Sequence, residues 1–151
     1  MKVACGFDHA GFPFRDEVFA VLAEAGVEPL DLGTHSTEPV DYPDVAQAVG
    51  DAIVSGKADR GVIVCGSGAG VAIAACKIPG IRASVCHDTY SAHQAVEHDD
   101  MNVLCLGARV IGPALAAEVL RGYLKAQYTH EPRHERRLTK VLEIERRHSQ
   151  G

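Results

Sequence analysis

Cys65 and Ser67 stand in a glycine-rich turn, Cys65-Gly66-Ser67-Gly68-Ala69-Gly70, inside an uncharged run from Gly61 to Cys76. A free thiol titrates at about 8.5 and ionises more readily beside a helix N-terminus, so a thiolate at Cys65 could take a proton from carbon. The N–H groups of such a turn and of the helix behind it would favour an anion or a developing oxyanion. Two imidazoles adjoin carboxylates, in Asp8-His9 and His98-Asp99, which suits proton donation near neutral pH. Arg133, His134, Arg136 and Arg137 could clamp a phosphate, since Arg presents a planar fork of donors. Each set also has a plainer reading: a buried thiol packs like a small hydrophobe, and a run of charges is a solvated helix face.

Elements of alternating type must hold these groups. Lys2 to Phe7 reads as a strand, ended by Asp8-His9-Ala10-Gly11. Phe14, Val18, Val21, Leu22 and Ala25 then mark one face of a helix that stops at Gly26. Val27 to Leu32 is a second strand, and its Pro29 places it at a sheet edge or a bulge. After a polar loop, Tyr42-Pro43-Asp44 opens a helix reaching about Val54. The β-branched run Val62 to Cys65 suits a strand covered on both faces, and the glycine turn leads into a helix from about Ala69 to Pro79. Ile81 to Cys86 is a fourth strand closing in His87-Asp88, Thr89 to Glu97 a helix, His98 to Asn102 a polar turn and Val103 to Leu106 a fifth strand. Gly112-Pro113 begins a further helix, and a last one carries Leu138, Val141, Leu142 and Ile144. Strands alternating with helices imply a parallel sheet covered on both faces, with ligands beyond the carboxyl ends of its strands. Asp8-His9, Cys65 to Gly70, His87-Asp88, His98-Asp99 and Arg109 are all expected there.

Length and composition fit one domain over residues 1–151, 46% hydrophobic with a net charge of −5. No stretch is long enough for a membrane span, and the N-terminus has no signal-peptide pattern, so a cytoplasmic protein is expected. Five cysteines without a Cys-x-x-Cys pair point to reduced thiols. Eight histidines without a His-Glu-x-x-His spacing give no zinc site. From Arg121 onward eight basic residues face four Glu, yet the acidic body and the lack of interleaved aromatics argue against nucleic acid. The glycine turn lacks the Gly-Lys-Ser/Thr of a phosphate loop, and as a dinucleotide fingerprint its third glycine comes one residue early. A nicotinamide reading is kept open only by Asp88, about twenty residues further on.

Gly6-Phe7-Asp8-His9-Ala10-Gly11, Val40-Asp41-Tyr42-Pro43-Asp44, Cys65 to Gly70, Ile78-Pro79-Gly80-Ile81-Arg82-Ala83, Asn102 to Arg109 and Arg133-His134 together resemble the ribose-5-phosphate isomerase B family. That family also includes galactose-6-phosphate isomerase subunits, and the resemblance spans nearly the whole chain. It implies a Rossmann-like three-layer α/β/α sandwich with a central five-stranded parallel sheet and a C-terminal helix extension. It further implies a homodimer or tetramer without metal or cofactor, each site built from two subunits. The implied reaction is aldose–ketose isomerisation of ribose 5-phosphate and ribulose 5-phosphate through an enediolate.

Carried over by resemblance, Cys65 is the base between C1 and C2, Ser67 the hydroxyl beside it, and the backbone of Gly66, Gly68, Ala69 and Gly70 the anion hole. Asp8 and Tyr42 match sugar contacts, His98 the ring-opening residue, and His9, Arg109, Arg133, His134 and Arg137 phosphate contacts. One branch of the family has a glutamate where this chain has Val71, so the chain resembles the thiol branch. Two positions depart from the family pattern: Asp99 follows His98 where Asn is usual, and Cys76 replaces Asn before Lys77. An ionised carboxylate cannot donate to a substrate oxygen as an amide can. The alternatives are therefore the same chemistry on a tetrose or hexose phosphate (erythrose or erythrulose 4-phosphate, allose or galactose 6-phosphate), or a sugar-phosphate sensor without catalysis.

Overall fold

Five parallel strands form one sheet in the order β2-β1-β3-β5-β4 in the computed structural model, which describes residues 1–149. The inner strands β1 (Lys2–Phe7), β3 (Arg60–Cys65) and β5 (Val103–Gly107) are almost wholly buried. The edges are β2 (Glu28–Asp31) and β4 (Ala83–Val85), so Pro29 does lie at an edge, where its missing N–H costs no ladder bond.

Side chains alternate across the sheet with the period of two that a strand imposes. Val3, Cys5, Phe7, Val62, Val64, Leu104 and Leu106 face one layer, formed by α1 (Arg15–Glu24), α4 (Thr89–Asp99) and α5 (Pro113–Lys125). Ala4, Ile63, Cys65, Val103 and Cys105 face the other, formed by α2 (Tyr42–Val54) and α3 (Ala69–Ala75). The last helix, α6 (Pro132–His148), packs against α4. The expected three-layer α/β/α sandwich with a C-terminal helix is the observed fold. Among the described residues no helix is long and apolar enough to cross a membrane.

Several details differ from the sequence reading. A single 3-10 turn, Phe12–Phe14, precedes α1, and Ala25 lies beyond its end, exposed. β4 is shorter than expected, because Ile81 and Arg82 still belong to the turn that feeds it. α4 runs on to Asp99, so His98 and Asp99 belong to its last turn and not to a loop.

That placement overturns one expectation. α4 leaves the carboxyl end of β4 and returns to the amino end, so His98-Asp99 do not lie beyond the carboxyl ends of the strands. Hydrogen bonds mark the end unambiguously. Asn102 donates its N–H to Arg82 O, ahead of β4, and accepts from Gly61 N–H near the start of β3. Cys65 stands four residue steps of about 3.3 Å further along β3.

Candidate active site

The turn after β3 is shaped by what it must pass. Of its three glycines only Gly68 adopts left-handed backbone, with φ of 80°. Gly70 is needed for another reason: a Cβ there would stand 3.0 Å from the Tyr42 ring, which Tyr42 places over the turn from the start of α2. Arg109 passes over Gly66, 3.5 Å from where a Cβ would sit.

Cys65 is 5% exposed at the floor of this turn. Gly68 N–H donates to its Sγ at 3.1 Å, so negative charge on sulfur would meet a donor. Ser67 Oγ accepts from Ala69 N–H, also at 3.1 Å. Two N–H groups of the expected anion hole therefore already have acceptors, and an oxyanion would compete with Sγ and Oγ for them. Burial pushes the pKa of Cys5 up to about 12 and raises those of Cys86 and Cys105, the last well above its ordinary value. Cys76 is exposed, with its thiol donating to Ala83 O at 3.2 Å.

The facing wall comes from the end of β1. Asp8 is 7% exposed, and its Oδ1 accepts from Ala10 and Gly11 N–H, each at 2.9 Å. Gly11 lies so close to β3 that a Cβ would come 1.8 Å from Val64 O, which ties the Asp8 turn to the Cys65 strand. His9 Nδ1 accepts from Val40 N–H at 3.2 Å, leaving its Nε2 as the donor of the neutral ring. Asp8, His9, Tyr42, Cys65, Ser67 and Arg109 line one cleft of about 410 Å³.

The remaining candidates form a second group at the opposite end of the sheet. His98 stacks on His134 with ring centroids 4.0 Å apart. His134 is 1% exposed, its Nε2 accepting from Arg133 Nε at 3.2 Å and its Nδ1 meeting Thr129 Oγ1. Desolvation first, then the charges of His98 and Arg133, lower its pKa from the usual 6.5. Arg137 acts on it in the same direction. Two guanidinium groups, Arg133 and Arg137, thus gather beside the stacked rings of His98 and His134, an arrangement suited to a phosphate. Asp99 is exposed and shares a groove of about 610 Å³ with Cys76, Lys77, Arg82, Val141 and Leu142.

Two residues gain weight that the sequence reading did not give them. Asn102 holds the turn beside His98, with its Oδ1 accepting from Arg82 N–H and its Nδ2 donating to Gly80 O. His87, noted only as a strand-end residue, accepts from Gly107 N–H at 2.9 Å through Nε2. Neither contact has a local sequence signature.

This fold has known counterparts. The sequence profile of the Ribose/Galactose Isomerase family matches residues 3–141, and the chain belongs to that family. It is 45% identical to ribose-5-phosphate isomerase B of Escherichia coli over 146 residues, 97% of each chain. It is 41% identical to D-erythrulose-4-phosphate isomerase of Pectobacterium atrosepticum over 129 residues, 85% of each. Among solved structures, ribose-5-phosphate isomerase B of Clostridium thermocellum superposes with a TM-score of 0.94 at 45% identity, covering 99% of this chain and 100% of that one.

Proposed function

We propose that this chain interconverts ribose 5-phosphate and ribulose 5-phosphate, with Cys65 as the base that carries the proton between C1 and C2. The observation that supports this reading best is the setting of Cys65: a thiol on the floor of a cleft, 3.1 Å from a backbone N–H. His98 donates a proton to the ring oxygen and opens the furanose. Sγ then takes the C2 proton while the carbonyl oxygen at C1 becomes the enediolate oxygen, held by backbone N–H groups and Ser67. Return of the proton to C1, with the O2 hydroxyl proton passing to O1 as the C2 carbonyl forms, completes the ketose.

Cys65 and His98 cannot meet within one chain, so each site takes Cys65, Asp8, His9, Tyr42 and Arg109 from one copy and His98, Arg133, His134 and Arg137 from a second. Val141, Leu142 and Ile144 support such pairing: they form an apolar stripe on α6 that is 48%, 39% and 58% exposed.

Heavy water tests the assignment of the base. Wild-type protein places deuterium at C2 of recovered ribose 5-phosphate, and Cys65→Ala slows that exchange by on the order of a thousandfold or more while folding normally. Exchange retained by the variant would remove Cys65 as base. A second reading, a four-carbon substrate, is favoured by the likeness to an erythrulose-phosphate isomerase and by the carboxylate of Asp99. Comparing kcat/KM on four-, five- and six-carbon aldose phosphates decides between them, with the five-carbon sugar expected to lead.

A further inference from the structure

We infer that His87 is a positioning residue for Cys65, acting through the backbone of Gly107. β4 makes its last pair with β5 at Val85 and Cys105, two residues short of Gly107. The Gly107 N–H points to that side of β5 and finds no strand carbonyl. His87 Nε2 takes the place of the missing strand, accepting at 2.9 Å. An unpaired N–H at this half-buried spot would lose a hydrogen bond with no replacement from the sheet.

Four contacts carry that bond to the sulfur. The glycine turn rests directly on the Leu106–Gly107 peptide: a Cβ on Gly68 would stand 3.2 Å from Gly107 N, and one on Gly107 only 2.6 Å from Ser67 O. Ala108 and Arg109, which follow Gly107, donate their N–H groups to Cys65 O at 2.9 Å and Gly66 O at 3.0 Å. Gly68 in turn donates to Cys65 Sγ. A shift of the Gly107 peptide therefore moves the donor that faces the sulfur and the Cys65 carbonyl together. The ring must be unprotonated at Nε2 to accept, and desolvation lowers the His87 pKa from the usual 6.5, which keeps it so.

The inference rests on Cys65 being the reactive thiol, and its test separates the two ideas. His87→Gln supplies an amide oxygen near the Nε2 position; His87→Phe fills the space with no acceptor; His87→Ala does neither. In the intact protein, kcat falls by on the order of ten- to a hundredfold in the Ala and Phe variants, with KM within about threefold, as misplacement of a catalytic group predicts. Gln restores most of the loss. Independently of turnover, the alkylation rate of Cys65 by iodoacetamide, read by mass spectrometry of its peptide, changes in Ala and Phe and returns in Gln. Wild-type kcat and alkylation in the Phe variant, or equal loss in Phe and Gln, overturns the role of His87. Altered alkylation with a wild-type kcat leaves His87 as the support of the turn and removes Cys65 as base instead. Should the Ala variant fail to fold, the Gln and Phe pair decides.

Discussion

Gly70 and Tyr42 show how single residues set the mouth of the cleft. The aromatic ring occupies the space where any larger residue at position 70 would place its Cβ, 3.0 Å away. Gly70→Ala is therefore expected to push the ring outward and raise KM by roughly three- to tenfold, the loss of about one hydrogen-bonded contact, with kcat within about twofold. Steady-state kinetics checks this, and an unchanged KM would mean that Tyr42 does not touch substrate. The residue scale was partly readable beforehand. Cys65 could be singled out because glycines surround it, whereas Cys5, Cys86 and Cys105 lie in plain strand runs, and burial does raise their pKa values. The role of Gly70 was not readable, since its cause is a side chain brought from elsewhere and not a backbone angle. His87 was missed for the same reason: its partner, Gly107, is twenty residues away in sequence.

Among the elements, alternation of period carried most of the fold. The buried runs in β1, β3 and β5, the edge proline in β2 and the order of helices all follow from local patterning. The misplacement of His98-Asp99 lies at one polar break, the one between α4 and β5, which was grouped with the breaks that follow strands. Alternation itself held the answer, because a break that follows a helix in a parallel sheet lies at the opposite end from one that follows a strand. What fixes the His98 end is a side-chain clasp: Asn102 bridges Arg82 N–H and Gly80 O, and Arg82 Nε donates to Asp100 O at 2.7 Å. Asp100 adopts left-handed backbone there, with φ of 51°. Asn102→Ala removes two hydrogen bonds and is expected to cost about 1–3 kcal/mol, read from urea unfolding. It should also slow turnover of the closed sugar more than that of the open-chain form, because His98 loses its support. An effect equal on both forms would detach the clasp from ring opening.

For the molecule as a whole, His87 and His134 share a pH signature. Both have pKa values lowered from 6.5 in the folded state, so between the folded values and 6.5 the unfolded chain binds more protons. Their contribution to stability is present above pH 6.5, falls as pH drops through that value, and stops changing below the folded pKa values. Urea midpoints measured between about pH 8 and pH 5 should decline over this window, and less steeply in His87→Gln; a flat profile would contradict the lowered values. The carboxylate of Asp31, held below its ordinary 3.8 by Arg15 and the Gly33 N–H against the desolvation that opposes them, acts only at more acid pH. The candidate residues divide between opposite ends of the sheet, and under the proposed function two copies of the chain complete each site. Co-expressing Cys65→Ala with His98→Ala tests it most directly. If each site draws Cys65 from one copy and His98 from the other, the two inactive variants together form mixed dimers holding one intact site, and activity returns to about a quarter of wild type. A mixture as inactive as its components would contradict a site shared between copies.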